Sequence, residues 1–102
     1  MITHIVLLRI RKDVAKKQVD GVFAEIAGLK SKIPGIVSYS AGPYSSDEGL
    51  QRGFTHGFCM TFQDAKARDR YLPHPEHEKV KKSVLAVLEG GLDGVLAFDY
   101  AS

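Results

Sequence analysis

The residues of this 102-residue chain that can move protons are four histidines, a tyrosine ahead of a proline turn and an aspartate near the C-terminus. His4 alternates with Val6, Leu8 and Ile10, and His56 with Phe58, Met60 and Phe62, so both share strand faces with apolar residues. His77 stands three residues before Val80 and joins the apolar stripe of Val84, Val87 and Leu88. Asp99 follows Val95 and Ala97 on one strand face, where a carboxylate is costly unless paired. An inward histidine is a suitable partner. Such a carboxylate fixes the imidazole tautomer, raises its basicity and leaves the second nitrogen free for acid–base work. Tyr71, just before Pro73-His74-Pro75, can bring its phenol to the same pocket. The competing reading is that these are core histidines whose hydrogen bonds are satisfied.

Other chemistries find less support. His74-Pro-Glu-His77 has an H-x-x-H outline, but Pro75 works against a shared helical face, and no second cysteine or ligand cluster completes a tetrahedral site. No metal is expected. There is no glycine-rich nucleotide loop, Cys59 lacks a partner that would mark it as a nucleophile, and no cofactor is expected. Lys+Arg 14 against Asp+Glu 12 leaves a formal net charge of +2, too weak a bias for nucleic acid or an anionic membrane. Lys79, Lys81 and Lys82 read as a solvated helix face, with Glu78 and Lys82 as an exposed i,i+4 pair.

Four strands and two helical regions must position the candidate residues. The strands are Ile2–Ile10, Ile36–Ala41, Phe54–Phe62 and Gly94–Tyr100. In the second, Ile36, Ser38 and Ser40 should face opposite to Val37, Tyr39 and Ala41. A helix capped by Asp13 carries the stripe Val19, Val22, Phe23, Ile26, Leu29 and Ile33, and Pro34-Gly35 ends it. Residues 42–53 form a loop. Asp64 caps a short helix to about Tyr71, and a longer one runs from about Glu76 to Leu88, where Gly90-Gly91 follows.

The order βαββαβ over residues 1–102 specifies one α+β domain, a ferredoxin-like antiparallel four-stranded sheet with both helical regions on one face. The other face then carries Leu96, Phe98 and Tyr100 with Ile5 and Leu7, a larger apolar patch than soluble monomers expose. Face-to-face pairing into a dimeric α/β barrel, a homodimer, is the expected remedy. Val95, Ala97 and Asp99 should face the helices with His77, placing the pocket beneath them. A lone cysteine, no signal-like N-terminus and no run of ~20 apolar residues lead us to expect a cytoplasmic protein without membrane or nucleic-acid partners.

The strand with His4, the Phe54-Thr55-His56 opening, the Tyr71-x-x-His74-Pro-x-His77 turn and the Phe98-Asp99-Tyr100 ending together resemble the stress-responsive dimeric A/B barrel (Dabb) family across essentially the whole chain. The resemblance implies a dimeric ferredoxin-like barrel in a family whose members mostly have no assigned reaction. A plant polyketide-cyclase branch closes a linear chain by cofactor-free aldol condensation. That branch implies Tyr71 as substrate-positioning phenol, His77 as general base, Asp99 orienting His77, and His4 and His56 lining the cavity. The absence of tryptophan means that a long alkyl substrate is not implied, and the second strand and following loop, which also differ, would shape substrate access.

Four functions follow as expectations. The first is a stress-linked dimer that binds a small apolar or aromatic ligand. The others are a cofactor-independent cyclase, a small cofactor-free monooxygenase of a related barrel class, and a purely structural dimer module.

Overall fold

The strand segments alternate apolar side chains with period two, while the segments between them repeat at helical spacing. In the computed structural model, which describes residues 1–102, they become β1 (Ile2–Leu8), α1 (Lys16–Lys32), β2 (Ile36–Pro43), β3 (His56–Phe62), α2 (Ala65–Tyr71), α3 (Pro75–Val87) and β4 (Val95–Ala101). A 3-10 turn, Gly91–Gly94, leads into β4. Strand order is β2-β3-β1-β4 and every neighbouring pair is antiparallel. β1 and β2 therefore run parallel with β3 between them, the interleaving of a ferredoxin-like sheet.

The covered face of the sheet holds the core. Leu8, Met60 and Phe62 are fully buried there, facing Ile26 and Leu29 of α1 and Val87 of α3. The opposite face is defined by register: Thr3 lies between Thr61 and Tyr100, Ile5 between Cys59 and Phe98, and Leu7 between Gly57 and Leu96. Ser38 and Ser40 extend it onto β2. No charged residue stands on this face, and Phe98 is 60% exposed. Leu96, Phe98 and Tyr100 thus lie on the side away from the helices, as the alternation predicts.

Local chemistry sets the element ends. Gly35 adopts φ +97°, and a Cβ there would come within 2.6 Å of the Ala67 Cβ, so glycine lets the chain turn beneath α2. Asp64 caps α2 by accepting from the Ala67 N–H at 2.8 Å. His74 caps α3, its Nδ1 accepting from the Glu76 N–H at 3.1 Å with Pro75 in the first turn.

Three local expectations are corrected. Ala15, not Asp13, precedes α1, because the Asp13 carboxylate accepts from Arg11 Nε at 3.0 Å instead. A bulge between Ile36 and Ser38 resets β2, so Ile36 is buried while Tyr39 faces Met60 and Ser38 and Ser40 turn away. Glu78 forms no ion pair with Lys82; its carboxylate lies 3.9 Å from His77 Nδ1, which is committed to the Leu72 carbonyl.

Candidate functional site

The register of β1 against β4 sets His4 directly opposite Asp99 on the helix-covered face. His4 Nδ1 lies 2.5 Å from Asp99 Oδ1, while Arg68 of α2 donates through Nη1 to Oδ2 at 3.0 Å. Arg68 precedes Tyr71 by three residues and so shares its helix face. Burial alone would raise the Asp99 carboxyl, but the hydrogen bonds from His4 and Arg68 outweigh it and hold the group below its ordinary range. An ionised carboxylate only accepts, so His4 Nδ1 carries a proton, which in the neutral ring leaves Nε2 with a lone pair. Phe58, Phe62 and Tyr71 stand edge-on to the His4 ring, with centroids 5.9–6.1 Å away.

His77 reaches the same region from the first turn of α3. Its Nδ1 donates to the Leu72 carbonyl at 2.8 Å, which again leaves Nε2 unprotonated in the neutral ring. Burial lowers the His77 pKa, so the ring is neutral at pH 7. Tyr71 backs both imidazoles, its ring centroid 4.4 Å from His77 and 6.0 Å from His4. It is buried, and burial pushes its phenol well above the ordinary value, keeping the hydroxyl protonated.

These contacts correct one expected pairing. Asp99 orients His4, and the Leu72 carbonyl holds His77.

Between the β1–β4 half of the sheet, α1 and α3 lies a cavity of about 250 Å³, walled by His4, Phe58, His77, Val84 and Val95 among mostly apolar neighbours. Leu72 and Leu92, both exposed, stand at its edge with Lys81. The pocket therefore sits beneath the helices with Val95, Ala97 and His77, as the strand alternation predicts. Tyr71 does not line it; it supports the imidazoles from behind.

His56 lies elsewhere. It borders a larger groove of about 590 Å³ at the N-terminal end of α1, with Arg11, Lys16 and Pro43. Its ring packs on Phe23 at 5.4 Å, and its Nδ1 lies 2.9 Å from Thr55 Oγ1. Thr55 commits its own proton to the Leu8 carbonyl, so His56 donates. Burial lowers its pKa, opposed by the charge of Asp20. His56 therefore does not share the cavity of His4 and His77.

Two residues escaped the sequence reading. Arg68 was legible in principle, since it sits one turn before an inward tyrosine on a capped helix. Lys81 was assigned to a solvated run, yet it borders the cavity.

Two imidazoles in the lining of one mostly apolar cavity, each held through Nδ1, are an arrangement that can exchange protons with a bound molecule. The family model described as "Stress responsive A/B Barrel Domain" matches residues 2–102. Among curated proteins, the chain is similar to the stress-response A/B barrel domain-containing protein At5g22580 of Arabidopsis thaliana, at 29% identity over 84% of this chain and 76% of that one. It is also similar to olivetolic acid cyclase of Cannabis sativa, at 22% identity over 74% and 75% of the two chains. Among solved structures, a dimeric ferredoxin-like protein of unknown function from Jannaschia sp. CCS1 superposes with TM-score 0.88 at 29% identity, covering 99% and 98% of the chains. At3g17210 from Arabidopsis thaliana gives 0.90 at 27% identity, over 100% and 95%. A hydroxynitrile lyase from Passiflora edulis shares the fold, with TM-score 0.83 at 22% identity over 97% and 90%.

Proposed function

We propose, from the premise that this chain belongs to the stress-responsive A/B barrel domain family, that it binds a small apolar or aromatic carbonyl compound beneath α3 and exchanges protons with it without a cofactor. The observation that carries this reading is the pair of imidazoles on one cavity. Each is held through Nδ1, and each has Nε2 left for the ligand. His77 acts as general base: the backbone carbonyl fixes its tautomer, and burial keeps it neutral. The His77 imidazolium so formed gives the proton back to the ligand, while His4, held by Asp99, presents Nε2 as an acceptor to a ligand hydroxyl. Tyr71 positions the ring of His77 and supplies a protonated phenol at the back of the site.

A second reading, favoured by the similarity to olivetolic acid cyclase, carries the same proton transfer into carbon–carbon bond formation. Removal of an α-proton by His77 gives an enolate, which attacks a second carbonyl of the same chain. The alkoxide so formed takes its proton from the imidazolium of His77. Shared fold alone does not choose between the two readings.

The chain also works as a homodimer in this proposal. The uncharged sheet face exposes Phe98, Tyr100 and Leu96, and proteins of the same fold are described as dimeric. Pairing two such faces removes the patch from water.

The reaction is tested by hydrogen–deuterium exchange at the α-carbon of benzoylacetone in D2O. Wild-type protein is expected to accelerate exchange, and His77→Ala to lose about 10²- to 10⁴-fold of that acceleration while remaining folded. Equal acceleration by the variant would remove His77 as the base.

A further inference from the structure

The cavity beneath α3 carries a charge pattern that its apolar walls make consequential. Lys81 is the single residue of fixed charge in its lining, which includes no Asp or Glu. Asp99 stands behind His4, outside the lining, and is already neutralised by Arg68. Lys79 and Lys32 both reach Glu76, at 3.6 and 3.9 Å, whereas Lys81, like Lys82, forms no ion pair, and of the two only Lys81 borders the cavity. The positive charge of Lys81 reaches the site, since it opposes protonation of His77. Glu78, the one acid beside His77, is on the outer side and does not border the cavity.

Size narrows the occupant further. A dry apolar cavity of about 150 Å³ accommodates benzene. The present volume of about 250 Å³ holds one ring with small substituents, and lies below the range of drug-sized ligands.

Resting on the reading of this cavity as a ligand site, we infer that its ligand is a single-ring carbonyl compound that also bears a carboxylate, and that Lys81 is the residue that selects for the anion. The ring lies against Phe58, Val84 and Val95, and the carboxylate sits at the mouth, where it stays partly hydrated while pairing with Lys81. This arrangement satisfies both ends of the ligand without burying an unpaired charge. It also leaves the inner end of the ring beside the imidazoles of His4 and His77.

The test is a two-dimensional amide NMR titration of the full chain with benzoate and with benzamide, which has nearly the same shape and no charge. Benzoate is expected to shift His77, Val84 and Val95 and to bind about tenfold tighter than benzamide. Lys81→Gln should erase that preference and Lys81→Arg should keep it. Lys81 is exposed, so both variants should leave the rest of the spectrum in place. Equal affinity for the two probes, or a preference that survives Lys81→Gln, overturns the assignment and leaves the pocket standing as a neutral-ligand site. If neither probe shifts these residues, both the assignment and the ligand-site reading fall.

Discussion

The two faces of the sheet are built from the same strands and do different work. The covered face carries the core and every titratable strand side chain that matters here: His4, Asp99 and, at its far end, His56. The bare face carries only Thr, Ser, Cys, Gly and apolar side chains. Charge is tolerated on the covered face because partners exist there: His4 of β1 and Arg68 of α2 both meet the Asp99 carboxylate. The bare face has no such layer, and a second copy of itself can supply only a matching apolar surface. Strand alternation alone thus separates the proposed pocket from the proposed interface.

The largest expected effect comes from placing a charge on the bare face. Phe98→Glu puts two unpaired carboxylates into the proposed interface and should weaken dimerisation on the order of 10³-fold, read by sedimentation equilibrium. The folded monomer should survive, since Phe98 is exposed within one chain. An unchanged dimer would place the interface elsewhere.

The next comparison uses adjacent leucines on opposite faces. Leu8, fully buried under the helices, should cost about 3 kcal/mol of unfolding free energy when changed to alanine. Leu7→Ala on the bare face should cost the chain about 1 kcal/mol and act mainly on association. Chemical denaturation of each variant, followed at several protein concentrations, separates the two. Equal costs independent of concentration would erase the distinction between the faces.

Asp99 gives the smallest effect and a signed pH dependence. Its folded pKa lies below its unfolded one, so its contribution to stability is present above about pH 4 and is lost as the pH falls through the folded value. Asp99→Asn should therefore cost about 1–2 kcal/mol at neutral pH, and it should flatten the acid limb of the stability curve. A variant as acid-sensitive as the wild type would show that the carboxylate is not held by His4 and Arg68.

Much of this separation was legible in the residues. Period-two alternation placed Leu96, Phe98 and Tyr100 opposite Val95, Ala97 and Asp99, and the helical stripe turned His77 inward. What stayed hidden depends on long-range register. Nothing local says that residue 4 meets residue 99, because the β1–β4 pairing joins the two ends of the chain. The same holds for His56. It shares a strand face with Phe58 and Met60, yet it lies nearer the other end of the strand, beside Phe23 rather than the pocket. The bulge after Ile36 is a one-residue shift that alternation cannot announce. Lys81 was misplaced because a helix-face reading assigns whole side chains to one side, whereas a long lysine at the edge of a stripe can reach a cavity rim.

The central claim is that His77 and His4 each offer an unprotonated Nε2 to one pocket. Long-range 15N correlation spectra of the imidazoles at pH 7.5 test it most directly, with benzoylacetone then added. Protonated Nδ1 and bare Nε2 are expected at both residues, with a His77 titration midpoint below 6.5 and ligand-induced movement of both Nε2 resonances while His56 stays unmoved. A protonated Nε2 on neutral His77, or a response confined to His56, would contradict it.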